Sequence, residues 1–308
     1  MSPQAAARNA SDQARESGVV AAAYRRHFDV ALDSGEHLEC LMKGRSLQVA
    51  CGDRVEIARV AGGGAIESIA PRTTLIYRSD AFREKLIAAN ATQIVGVVAV
   101  GIALDLDLVH RWMIAAEAEG CRFIVAANKR DLPEFGALRE RLAPVAALRY
   151  PIVELSARED VGPLTPWLAG QRSVLIGQSG MGKSTIINAL SGRTVARTEE
   201  ISVALHAGRH TTSSTTLYRL PAFDDTWIVD SPGMKAFGLA HIAPEAIELA
   251  FVELRPLLGH CRFRDCRHDR EPGCAVQEAV ARGAVQPFRI ALMHTLLRAS
   301  SVARKSGP

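Results

Sequence analysis

Long hydrophobic runs are missing from this 308-residue chain. The longest, Ile94 to Leu104, is too short to span a bilayer and reads as a buried strand. Residues 1 to about 26 are rich in Ala, Gln and Arg and have neither the apolar core nor the cleavage signal of a secretory peptide. They are expected to form a flexible tail on a cytoplasmic protein with no membrane partner. A disulfide framework is also missing, because Cys40, Cys51 and Cys121 are scattered through apolar, strand-like contexts. The net charge is only +4, so any preference for a polyanion has to come from local clustering. Apolar and charged fractions of 48% and 23% are ordinary and exclude wholesale disorder, and the length allows two or three domains.

Among the motifs present, Gly177-Gln178-Ser179-Gly180-Met181-Gly182-Lys183-Ser184-Thr185 stands between the apolar run Ser173-Val174-Leu175-Ile176 and a helical pattern starting at Thr185. This is the strand, loop and helix context of a phosphate-binding loop. Its glycines let consecutive N–H groups turn around a β-phosphate at a helix N-terminus. Lys183 supplies a point charge to the β and γ oxygens, and Ser184 offers a hydroxyl to Mg²⁺.

Asn128-Lys129-Arg130-Asp131 follows the strand-like Phe123–Ala127 directly. A carboxylate at Asp131 can accept from N1–H and the 2-amino group of guanine, whereas adenine presents an acceptor at N1 and no 2-amino donor. Asn128 would bridge to the phosphate loop, and the Lys129 stem would cover one face of the base. Glu154-Leu155-Ser156-Ala157 matches the small backbone loop that contacts guanine O6, through Ser156 and Ala157.

Further along come Gly208-Arg209-His210-Thr211-Thr212 and Asp230-Ser231-Pro232-Gly233, the latter after Trp227-Ile228-Val229. Asp230 at a strand end suits a water-mediated hold on Mg²⁺, the Gly233 N–H suits sensing of the γ-phosphate, and Thr211 or Thr212 suits closure on the metal. Together these motifs describe a GTPase. Their order is inverted, with base recognition before phosphate binding, so the domain is circularly permuted. The second switch then leads into whatever follows Gly233.

In these motifs, and in Phe237-Gly238-Leu239 after the second switch, the chain resembles the ribosome small-subunit-dependent GTPase family (RsgA, also called YjeQ) over nearly its whole length. The resemblance implies an α/β fold: a circularly permuted P-loop GTPase domain at residues 72–240, an N-terminal OB-type barrel at 27–71 and a C-terminal zinc-binding helical module at 241–308. For the barrel, Gly and Gly-Asp punctuation of short β-prone runs leaves OB and SH3-like forms open. The resemblance, with Gly52-Asp53-Arg54-Val55 and Pro71-Arg72, points to OB.

Cys261, Cys266, His268 and Cys274 crowd three thiols and an imidazole into fourteen residues, which suits tetrahedral zinc. An iron–sulfur cluster or redox thiols are the alternatives, and the resemblance favours zinc. Four ligands leave no position for water, so the metal is read as a staple, one per chain. Residues 255–308 carry ten Lys and Arg against four acids, +6 against −2 for the remainder. This stretch is expected to face rRNA electrostatically, because its aromatics are only Phe263 and Phe288; a solvated basic face is the competing reading.

Met234 stands where Ras-like enzymes place the glutamine that orients water, so slow intrinsic hydrolysis is expected. His210 is the candidate for that role, with a structural switch residue as the alternative. Compared with the family, the chain departs at Arg289-Ile290, where many relatives have an aromatic, and at Ser213-Ser214-Thr215, where charges are frequent. The expectation is a monomeric GTP hydrolase stimulated by the small ribosomal subunit in its late maturation. The alternatives are a P-loop ATPase or kinase and an RNA-binding assembly factor with incidental turnover.

Overall fold

The computed structural model describes residues 15–24, 27–43, 48–79, 84–192, 215–220, 223–231 and 237–305. Strands β1 (Glu16–Ala23), β2 (Phe28–Leu32), β3 (His37–Met42), β4 (Arg54–Val60) and β5 (Gly63–Ile69) make the barrel. In β2 the inward residues alternate as Phe28, Val30 and Leu32, and they meet Val20, Cys40, Val55, Ile57 and Ile66 in a core separate from the rest of the molecule. Closure follows from pairing: β1 is antiparallel to both β2 and β4, β2 to β3, and β4 to β5, while β3 and β5 run parallel. That five-strand order is the OB arrangement and decides against the SH3-like alternative.

The first barrel strand corrects an expectation. Residues 16–23 lie inside the segment expected to be a tail, yet they hydrogen-bond to strands on both sides. Their sequence, Gly18-Val19-Val20-Ala21-Ala22-Ala23, has little strand propensity of its own, so pairing imposes the strand.

Asp53, fully buried, receives two bonds from the Arg72 guanidinium, at 2.7 and 2.8 Å, and one from the Ala50 N–H at 2.7 Å. Gly52 beside it has φ +90°, and a Cβ there would stand 2.4 Å from the Ala89 carbonyl oxygen. Barrel and following segment are therefore locked by an ion pair and a contact only glycine allows. The chain continues through an unforeseen hairpin, β6 (Leu75–Ser79) with β7 (Glu84–Ala89).

The α/β domain contains β8 (Gln93–Ala99), β9 (Arg122–Asn128), β10 (Ile152–Glu154), β11 (Arg172–Ile176), β12 (Thr215–Arg219) and β13 (Trp227–Asp230). Their spatial order is β10-β9-β8-β11-β13-β12, parallel except for β12. Every residue of β8 is buried, as a strand covered on both faces requires, and the strand stops at Ala99, short of the Leu104 end of the apolar run. The helix Leu106–Ala118 covers one face, burying Leu108, Trp112, Met113 and Ala116 as their spacing predicts, and is capped by the Asp105 carboxylate on Leu108 N–H. At the far edge β12 also pairs with β1, so barrel and domain share an eleven-stranded sheet.

In the C-terminal module, the helices Pro244–Leu249, Ala275–Ala281 and Pro287–Lys305 surround irregular chain. Phe237, Ile247, Phe251, Leu254, Val276, Met293 and Leu296 belong to the same buried cluster as the α/β domain, so among the described residues the module has no separate small core. Arg289 is 1% exposed and bonds Glu253 twice, at 2.6 and 3.1 Å, with Nη1 3.2 Å from His110 Nδ1 on the helix Leu106–Ala118. Arg255 bonds Glu117 of that helix at 2.6 Å. Both arginines belong to the basic stretch expected to face rRNA, and here they fasten the module to the α/β domain. Burial and the facing guanidinium push His110 down to about 3, so it is neutral in this contact. Among the described residues, no helix is long and apolar enough to cross a membrane.

Candidate functional site

The cleft lies at the carboxyl ends of β8, β9 and β11, where parallel α/β sheets place their ligand loops. Asn128, the last residue of β9, is buried and joins three segments. Its Nδ2 donates to the Met181 carbonyl of the glycine-rich loop at 2.9 Å, and its Oδ1 accepts from the Ala157 N–H at 2.9 Å. Gly182 has φ +94°, and a Cβ there would fall 2.2 Å from Asn128 Nδ2, so this approach requires glycine. Lys129, with φ +65°, is half-buried and donates from Nζ to the Val100 carbonyl at 3.1 Å. No side-chain pattern identifies such a backbone acceptor, and the sequence reading did not include it.

Ser156 Oγ donates to Asp131 Oδ1 at 2.5 Å, which holds the carboxylate below its usual range while leaving it exposed. Arg130 faces solvent, and its backbone N–H donates to the Leu155 carbonyl at 3.0 Å. Asn128, Lys129, Asp131, Ser156 and Ala157 are thus brought together at this end of the cleft, and Arg130 joins them through its backbone N–H.

On the phosphate side, the loop Gly177–Gly182 leads into the helix Lys183–Ser191, with Gly180 also at positive φ. Lys183 is buried, and its Nζ donates to the Gly177 and Gln178 carbonyls at 3.0 and 3.2 Å. Ser184 and Thr185, half-buried, open the same helix, with Gln178, Ser179 and Met181 in the loop before it. Asp230 ends β13, and its Oδ1 is buried without a hydrogen-bond partner among the described residues. Desolvation raises its carboxyl to about 6, against the pull of Lys183. His210, Thr211, Thr212, Gly233 and Met234 lie outside the described residues.

In the C-terminal module, Cys261 Sγ is 3.8 Å from Cys274 Sγ, and His268 Nδ1 is 3.5 Å from Cys261 Sγ and 3.4 Å from Cys274 Sγ. With Cys266 these ligand atoms all lie within 4.8 Å of one another. A tetrahedral ion with thiolates at about 2.3 Å and imidazole at about 2.05 Å has edges of about 3.8 and 3.5 Å, so the cluster can hold a metal. His241, outside this cluster, packs tilted against Tyr77 of the hairpin with ring centroids 3.6 Å apart. His294 Nε2 stands 3.0 Å from the Arg267 carbonyl oxygen.

Comparison with known proteins agrees with this geometry. Residues 69–240 match the family model described as RsgA GTPase. A protein of Nitrosomonas europaea named small ribosomal subunit biogenesis GTPase RsgA is 46% identical over 286 residues, covering 91% of this chain and 90% of its own. One of the same name from Burkholderia pseudomallei is 47% identical over 294 residues, 93% of each chain. The crystal structure of YjeQ from Thermotoga maritima superposes with TM-score 0.67 at 27% identity, over 93% of this chain and 99% of that one. In fold alone, YloQ, described as a circularly permuted GTPase, matches at TM-score 0.64 and 19% identity over 98% of this chain and 99% of that one. With its base-side motifs ahead of its phosphate loop on one cleft, the chain belongs to the RsgA GTPase family and has that circularly permuted fold.

Proposed function

We propose that this protein hydrolyses GTP in the biogenesis of the small ribosomal subunit, late in that process, and that the subunit stimulates the reaction. The observation carrying this reading is the two-way bond of Asn128, which ties the Asn128–Asp131 motif, the Ser156-Ala157 loop and the Gly177–Thr185 loop into one cleft. Asp131, oriented by Ser156, would accept from guanine N1–H and the 2-amino group, and Lys129 would cover the base. Gly177 to Thr185 would cradle the phosphates, with the Lys183 ammonium leaving its loop carbonyls for the β and γ oxygens.

Ser184 and Asp230 would hold Mg²⁺, which supplies charge neutralisation across the phosphates. The unpartnered Asp230 oxygen supports that assignment, since a buried carboxylate without a partner is costly. Gly233 is proposed to sense the γ-phosphate through its N–H, Thr211 or Thr212 to close on the metal, and His210 to position water.

Cys261, Cys266, His268 and Cys274 are proposed to hold one structural zinc, and their thiolate and imidazole donor set supports it. Arg262, Arg264, Arg267 and Arg270 are exposed around this cluster and would meet rRNA phosphates in a cytoplasmic monomer. The decisive measurement is GTP turnover with and without purified small subunits. Acceleration by orders of magnitude is expected, and unchanged turnover in a preparation shown to bind subunits would overturn the stimulated mechanism. Replacing Arg262, Arg264 and Arg267 by Ala should weaken subunit binding and flatten its salt dependence while leaving basal turnover intact.

A further inference from the structure

The metal cluster contains an unusually tight chelate. Cys266 and His268 are separated by one residue, where ligand pairs in structural zinc sites are usually two to five residues apart. Bringing both to one ion requires a sharp backbone reversal, and His268 has φ +60°, a left-handed conformation that disfavours a side chain with a Cβ. Some other interaction has to hold that turn.

Glu271 supplies one. Its Oε1 accepts from the Arg267 N–H at 3.0 Å, and its Oε2 accepts from the Asp269 and Arg270 N–H groups at 2.9 and 3.1 Å. Three consecutive-turn amides, on both sides of His268, thus converge on one carboxylate that touches none of the four ligand side chains in these bonds. Gln277 acts from the opposite side. Its Nε2 donates to the His268 carbonyl at 2.6 Å, while its backbone N–H points at Cys274 Sγ at 3.5 Å, where that sulfur caps the helix Ala275–Ala281. One residue therefore ties the turn holding His268 to the Cys274 ligand.

We propose that Glu271, assisted by Gln277, is the positioning residue of the metal site, shaping the Cys266-Arg267-His268 turn before the ion binds. The proposal rests on the reading of this cluster as a zinc site. It follows that the metal-free turn is already ordered and that metal affinity depends on an all-acceptor group at 271. Glu271→Gln has nearly the same shape but sets an amide donor against a backbone donor, so it tests the hydrogen bonding without removing volume.

The experiment uses the full chain, stripped of metal under reducing conditions, with Zn²⁺ affinity measured by competition against a chromophoric chelator. E271Q is expected to bind zinc ten- to a hundredfold more weakly, the range found when groups that orient metal ligands are removed, and Q277A to lose less. Guanine-nucleotide binding by E271Q should be unchanged, which separates lost positioning from general unfolding. Hydrogen exchange on the metal-free unmodified chain should show protected amides at Arg267, Asp269 and Arg270; this arm stands even if E271Q misfolds. Unprotected amides there, or E271Q affinity equal to that of the unmodified chain, would overturn the proposal. An unmodified chain with no appreciable zinc affinity would overturn the zinc reading beneath it.

Discussion

The two sides of the cleft are held differently. On the proposed guanine side the key polar groups are held by protein partners: Asn128 bonds Met181 and Ala157, Lys129 reaches Val100, and Ser156 aims Asp131. On the phosphate side Lys183 is folded onto carbonyls of its own loop, and Asp230 keeps a buried oxygen without a partner among the described residues. The first side is preorganised and loses little on binding a base. The second holds a displaced cation and a carboxylate disposed towards its neutral form, so it gains new partners only when phosphate and Mg²⁺ arrive. On the proposed reading, the base would anchor the nucleotide while the phosphates would change the protein.

The largest expected effect breaks the phosphate side. Lys183→Ala should lower GTP turnover by at least about a hundredfold, as loss of a group that stabilises transition-state charge does, with the fold retained by circular dichroism. Full turnover in a folded variant would remove this loop from the chemistry. Next comes the base side, where Asp131→Asn should weaken GTP by roughly a hundredfold, from the loss of charge-assisted bonds worth about 1.5–3 kcal/mol each. It should favour xanthosine triphosphate, whose 2-oxo group the new amide can meet. Nucleotide competition reads this directly, and equal competition by GTP and ATP in the unmodified chain would contradict the assignment.

Asn128→Ala sharpens the contrast, because it strips partners from the buried Met181 carbonyl and Ala157 N–H. About 2 kcal/mol of stability should be lost, visible as a lower melting temperature without nucleotide. The last effect concerns Asp230, is confined to one side of a pH window and has a definite sign. Its folded value of about 6 lies above the ordinary carboxyl value, so the folded state holds the proton more tightly. That contribution is fully present below about pH 4 and disappears as the pH rises through 6. Asp230→Asn should therefore stabilise the nucleotide-free protein by about 2 kcal/mol above pH 6 and hardly at all near pH 4. Denaturant midpoints at the two pH values check it; equal shifts would mean that the carboxyl is not desolvated.

The parts legible in the sequence are those where chemistry leaves little choice. Gly182 must be glycine against Asn128, and thiols crowded beside an imidazole announce a metal. What escaped depends on long-range partners. The Val19 to Ala23 run is a strand because β2 flanks it on one side and β4 and β12 pair its two ends on the other, not because alanines prefer one. Arg289 looks like surface charge until Glu253 and His110 are found beside it. Glu271 is one more acid in a basic stretch until three amides are seen to converge on it.

The joint between β1 and β12 bears on how the molecule is made. Ala22 and Ala23 pair with Thr216 and Thr215, residues far apart along the chain, whereas β1 needs only β2 and β4 to complete its barrel. During synthesis the barrel can close early, leaving the far end of β1 as an open edge until the phosphate half of the domain has been translated. The permuted order delivers the guanine-side strands first and the strand that seals this edge near the end. Formation of the continuous sheet is thus a late, non-local event, and refolding should show a slow phase that tracks β12 pairing after the barrel signal is complete.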